Sequence, residues 1–221
     1  MENTKTQNSY LGRNWIDSIG FLLGWFSVIG QFVLMLQNRQ ADILETIIRF
    51  FSFFTILTNI LVALYFTSRI PKFDKVSFGQ LSRKGALTAL TVFILVVGLV
   101  YQIILRNTWH PTGFQRIIDE LLHSVIPLFV LIYWFLFADS AEIKFQNCKN
   151  WLWFPIIYFV YVIIRGHFSN FYPYPFINIS EIGYFRVFIN FLIVSAFFLL
   201  VMGILIFGGR TIKKYFNLTK F

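Results

Sequence analysis

Six apolar runs separated by short polar segments make up most of this sequence. They fall at Ile16 to Leu36, Thr46 to Thr67, Gly85 to Leu105, Ile117 to Ala138, Trp151 to Ile164 and Arg186 to Phe207. All but the fifth hold the roughly 20 residues an α-helix needs to cross a hydrocarbon core about 30 Å thick. The runs are continuous rather than alternating, so helices are predicted and a transmembrane barrel is not. The fifth run has 14 residues before Arg165, a length also found in interfacial and re-entrant segments; it is read as a span reaching about residue 168. Beyond it, Tyr172-Pro173-Tyr174-Pro175-Phe176 places two prolines two residues apart. That excludes a helix interior and predicts an extended or turning stretch from Arg165 to Ile179 near the interface. Its tyrosines suit an aromatic belt as well as a lid over a site. The pattern predicts an all-α polytopic membrane bundle. It is a single transmembrane domain over residues 1–221, with spans at about 16–36, 46–67, 85–105, 117–138, 151–168 and 186–207.

Composition agrees: 57% of residues are hydrophobic and 13% charged, with mean hydropathy +0.67, whereas soluble domains carry about 25% charged residues. The first run, at about 20 residues, exceeds a signal-peptide core of roughly 7 to 15 and is read as a retained helix. One cysteine, Cys148, excludes an intrachain disulfide and a Cys-rich metal site. With the N-terminus inside, six of the 19 Lys and Arg residues face outward (Arg39, Arg49, Arg106, Arg116, Arg165 and Arg186) and the others inward. This bias predicts both termini cytoplasmic. The formal charge of +9 then lies mostly on the inner face, against anionic lipid; a basic folded surface for nucleic acid is not apparent.

Polar groups within a bilayer are costly and turn toward the bundle interior. In this topology Thr55, Asn59, Gln102, His123 and Asn190 all lie toward the outer ends of their helices, which predicts a polar pocket there. In the fourth run, Asp119 and Glu120 precede His123 by four and three residues, so either carboxylate can sit one turn from the imidazole, with Asp119 the better spaced. Pro127 removes the donor for the carbonyl of residue 123 and predicts a kink. In the second run Ser52, Thr55 and Asn59 share a face, with Thr58 at its edge. An intramembrane threonine often bonds the carbonyl three or four residues back, which is the structural alternative for Thr55. Counted from the outer ends of their runs, Thr55 and His123 lie at similar depth, roughly 13 and 9 Å at ~1.5 Å per residue.

The stretches Phe54-Thr55-Ile56-Leu57-Thr58-Asn59, Leu122-His123-Ser124-Val125-Ile126-Pro127 and Tyr172-Pro173-Tyr174-Pro175-Phe176 resemble the androgen-induced and androgen-dependent tissue-factor-pathway-inhibitor-regulating proteins. They are most similar to the bacterial six-span relatives of that group. The animal members are transmembrane threonine hydrolases of fatty acid esters of hydroxy fatty acids, and they carry Asn-His where this chain has Leu122-His123. The resemblance implies Thr55 as nucleophile, with Thr58 as the other threonine in reach, and His123 as base. It also implies a lipid substrate and a bacterial plasma membrane location.

The chemistry is coherent without the resemblance. A threonine hydroxyl needs a base within hydrogen-bond reach to become nucleophilic, and the same imidazole can protonate the leaving alcohol. A carboxylate orienting the imidazole completes a triad-like set, and Asn59 or Asn190 are candidate donors to the oxyanion. A non-catalytic transporter, channel subunit or lipid-binding protein with the same outer pocket is the competing class. A metal or haem site finds little support, since only His123 of His110, His123 and His167 lies well inside a helix and their spacing is not that of a zinc site. No cofactor or metal is expected, and the expected partners are the substrate and membrane lipids. The inner Lys72, Lys75, Lys144 and Lys149 are expected to be dispensable.

Overall fold

The computed structural model describes residues 2–70, 73, 78–108 and 110–218, with side chains from 13 to 212 among them; Lys72 and Lys75 lie outside it. The described chain is all-helical. Helix α1 spans Glu2–Gln37, α2 Ile43–Phe50, α3 Phe54–Arg69 and α4 Ala86–Val100, the last extended by a π-helical turn at Tyr101–Leu105. A second π turn, Leu121–Val125, joins α5 (Gly113–Glu120) to α6 (Ile126–Phe137). Short α7 (Phe145–Cys148) leads through a 3-10 turn into α8 (Trp153–Ser169), and α9 (Ile179–Leu218) is kinked at Gly183.

Arg13–Gln37, Ala86–Leu105, Gly113–Phe137, Phe145–Ser169 and Ile179–Ile212 are long and apolar enough to cross a membrane, and α2 with α3 forms a sixth span if the bent pair counts as one. The protein is a polytopic membrane bundle. Three local expectations are corrected. The second run is not one helix over 46–67: it breaks at Phe51 to Phe53, and the two pieces meet at 70°. Arg165 to Ser169 are helical, and α8 stops at Asn170, whose φ of 53° is left-handed. The extended stretch therefore starts at residue 170 and closes in a 3-10 turn at Pro175–Ile177. The missing Pro127 donor is accommodated by the π turn before it, within a single span.

Packing is tightest where side chains are smallest. A Cβ on Gly24 would lie 2.9 Å from that of Ala63, and one on Gly20 would enter the Phe66 ring. This small-xxx-small pair lets α1 approach α3 as closely as their backbones allow. Helix α4 is the most enclosed span, with Ala89, Val92, Phe93 and Ile94 fully buried. Helices α1, α8 and α9 turn Leu22, Ile157, Ile193 and Phe207 outward, the apolar exterior expected of a protein solvated by lipid. The Tyr133 hydroxyl donates to buried Asp17 at 2.5 Å and ties α6 to α1.

Candidate functional site

His123 sits inside the second π turn, and its surroundings decide which nitrogen holds the proton. Nδ1 lies 3.0 Å from the Asp119 carbonyl and 3.2 Å from the Asp119 carboxylate Oδ1. Both neighbours are acceptors, so in the neutral ring Nδ1 carries the hydrogen and Nε2 keeps its lone pair. Asp119 is 6% exposed and is held by a second donor, the Tyr101 hydroxyl, in a short hydrogen bond. The Tyr101 ring stacks on the imidazole, centroids 4.0 Å apart and planes 11° from parallel. The ring orientation of His123 is thus set from its edge by Asp119 and from its face by Tyr101. Close approach of α4 makes this possible: a Cβ on Gly98 would sit 3.0 Å from the His123 carbonyl and 3.1 Å from the Pro127 ring.

Glu120, the other candidate partner, points elsewhere. It accepts from Arg106 at 2.5 Å and from Ser124 at 2.6 Å, Gln102 donates to Ser124 at 2.8 Å, and Arg106 donates back to Gln102 at 2.7 Å. These four side chains form a closed ring that clamps the two π turns together. Gln102 is exposed and lines neither cavity described below, so it leaves the predicted pocket set.

Thr55 is the second residue of α3, just after the break, rather than a mid-helix residue nine positions from its outer end. Its backbone N–H therefore has no partner in a preceding turn. The Tyr174 hydroxyl caps it at 3.2 Å and lies 3.3 Å from Thr55 Oγ1. Tyr174 stands outside the spans, and burial pushes its phenol above the ordinary value, so it remains a neutral donor. Among the described residues no hydrogen bond joins Thr55 to His123; the threonine hydroxyl faces Tyr174.

Both residues nevertheless line the same two cavities. One, about 390 Å³, is an apolar chamber between α4, α8 and α9 walled by Val97, Phe159, Phe191, Val194 and Phe198. The other, about 500 Å³, has a polar wall that includes Gln31, Arg39, Arg49, Thr108 and Gln115. Thr55, Tyr101, Leu105, His123 and Tyr174 belong to the lining of both. Thr55 and His123 thus stand where an apolar chamber adjoins a polar one.

The remaining predicted residues have other surroundings. Thr58 is fully buried, lines neither cavity, and its hydroxyl has no partner among the described residues. Asn59 is also fully buried; its amide donates to the Thr55 carbonyl at 2.8 Å and the Leu122 carbonyl at 3.4 Å, which links α3 to the π turn rather than reaching a cavity. Asn190 lines the apolar chamber but donates to the Phe176 carbonyl at 2.7 Å, anchoring the proline-rich segment to α9. Tyr101 and Tyr174 were not singled out from the sequence for the site. Tyr174 stands in a segment flagged as a possible lid, whereas Tyr101 carries no signal apart from its place at a helix end. Among the described residues no group of three or more His, Cys, Asp and Glu side chains is arranged to hold a metal ion. No family model, curated protein or solved structure matches the chain.

Proposed function

We propose that the protein is an intramembrane lipid ester hydrolase, with Thr55 as nucleophile and His123 as base. In this reading it is a bacterial plasma-membrane relative of the threonine hydrolases it resembles, acting on fatty acid esters of hydroxy fatty acids or similar lipids. One observation carries the reading: an imidazole oriented by a buried carboxylate shares its cavities with a threonine hydroxyl, where an apolar chamber meets a polar one. An ester needs those surroundings, with hydrocarbon on one side and water on the other.

The chemistry follows from the assigned proton positions. Rotation about χ1 carries the Thr55 hydroxyl from Tyr174 toward His123. Nε2 then takes its proton as Oγ1 bonds to the ester carbonyl carbon. Tyr174 O–H and the Thr55 N–H, paired with each other at 3.2 Å beside Oγ1, are the oxyanion donors in this reading, in place of Asn59 and Asn190. Collapse expels the alcohol, which takes the proton from Nε2, and water activated by the same nitrogen releases the acid from Thr55. Asp119 stays ionised throughout and balances the transient imidazolium.

One observation favours a ligand-binding protein instead: the Thr55 hydroxyl is paired with Tyr174, not with His123. Labelling the purified protein with a lipophilic fluorophosphonate, and locating the adduct by mass spectrometry, separates the two. The hydrolase reading expects the adduct on Thr55 and its loss in His123→Ala. Thr55→Ala, His123→Ala and the double variant are expected to reduce turnover of a long-chain ester to one similar low level, because residues acting as a unit are not additive. Thr55→Ser should retain part of the activity. A folded Thr55→Ala protein that hydrolyses ester at the parent rate removes the threonine from the mechanism.

A further inference from the structure

The polar cavity has an unbalanced wall. Glu45 Oε1 accepts from Arg49 Nε at 2.8 Å and from Arg165 Nη2 at 2.7 Å, so one carboxylate serves two guanidiniums. The same two guanidiniums lie over the Phe171 ring, 4.5 and 4.9 Å from its centroid. Among the described residues Arg39 donates to the Leu36 carbonyl alone, at 3.1 Å. Asp42 accepts from the Glu45 backbone N–H and caps α2. Among the described residues, the Nη atoms of Arg49 and the Nε and Nη2 of Arg39 have no acceptor, and both side chains line the cavity. The charged side chains that line the cavity itself are Arg39, Arg49 and Asp119, a net of one positive charge.

We propose that the two cavities hold one single-chain amphiphile in a fixed direction, its carboxylate at the wall formed by Arg39 and Arg49 and its hydrocarbon in the chamber between α4, α8 and α9. The residual charge matches a monoanion, and free guanidinium donors match the planar, bidentate geometry of a carboxylate. Cavities of this size admit one chain of drug-like bulk rather than a two-chain phospholipid. The five residues common to both linings form the passage through which the chain threads. Under the hydrolase reading this sets which end of an ester faces which chamber. The binding itself needs no hydrolysis, so the two stand or fall separately.

The test uses full-length Thr55→Ala protein in nanodiscs, with radiolabelled oleate, and with oleyl alcohol and hexadecyl phosphate as competitors. Oleate should bind saturably and displace the label at least about tenfold better than oleyl alcohol. Arg39→Gln should weaken oleate about tenfold and leave oleyl alcohol unchanged; Arg39 is exposed with a single backbone bond, so its loss leaves the fold intact. Arg49→Lys, which keeps the charge and loses the planar fork, should weaken oleate by less. A fatty acid with a photoreactive diazirine at its methyl end should label peptides of α8 and α9, and one with the diazirine beside the carboxylate should label residues 39–49 and 171–175. Equal binding of acid and alcohol, tighter binding of the phosphate than of oleate, or the reverse labelling pattern would each overturn the proposal. Ester turnover without preference for an acid end removes this inference and leaves the hydrolase reading. Oriented binding of oleate by a parent protein without turnover does the opposite.

Discussion

Thr55 differs from other threonines of this bundle in what precedes it. Thr46, Thr67 and Thr91 each donate to the carbonyl four residues back, at 2.7 to 2.8 Å. Thr55 starts a helix, its position four back lies in the break, and its hydroxyl is left for Tyr174. The sequence shows the residue but not this circumstance, which made the structural reading of it look stronger than it is. The Asp119 and His123 pairing was legible, because four-residue spacing survives into the fold. Tyr101 was not legible: it begins a π turn, and an α-helical count does not bring it onto the imidazole. In the hydrolase reading its hydroxyl holds the Asp119 carboxylate against the imidazole, so Tyr101→Phe should keep the stack and lower kcat/KM about ten- to a hundredfold, the worth of one hydrogen bond to a charged group. An unchanged kcat/KM would reduce Tyr101 to packing. Thr58→Ala, away from both cavities, should alter turnover by no more than a few-fold.

At the scale of elements, the apolar runs were legible because bilayer crossing leaves a coarse, length-dependent imprint. Their interruptions were not. The break between α2 and α3 contains neither proline nor glycine, only Phe51, Ser52 and Phe53. It is held by groups over 100 residues away: Tyr158 donates to the Ser52 carbonyl at 2.8 Å, and Tyr174 caps the Thr55 N–H at 3.2 Å. Local sequence cannot announce a break whose supports are tertiary. The two π turns likewise depend on each other through the ring of Gln102, Arg106, Glu120 and Ser124. Helix contact is better announced, since Gly20 and Gly24 stand four apart on α1. Gly24→Leu should separate α1 from α3, costing roughly 1 to 3 kcal/mol and lowering the melting temperature in detergent by several degrees. Gly203→Leu, on an unobstructed face of α9, is the control and should leave it near the parent value.

For the whole molecule, the topology predicted from the charge split would place the cavities at the outer end. Reporter fusions after Phe221 and after Ser169 should read cytoplasmic and extracytoplasmic respectively; an extracytoplasmic C-terminus would mean that Phe145–Ser169 does not cross. Lys144→Gln with Lys149→Gln, at the opposite end, should leave ester turnover within a few-fold. The break in the second span bears on the surrounding lipid as well. Helix α3 has 16 residues, about 24 Å of rise against a hydrocarbon core of roughly 30 Å. The leaflet must therefore dip to meet α2, or be left in hydrophobic mismatch at the doorway to Thr55. Bilayer thickness then becomes a control variable: turnover in nanodiscs should fall steadily as the lipid chains are lengthened from 14 to 22 carbons.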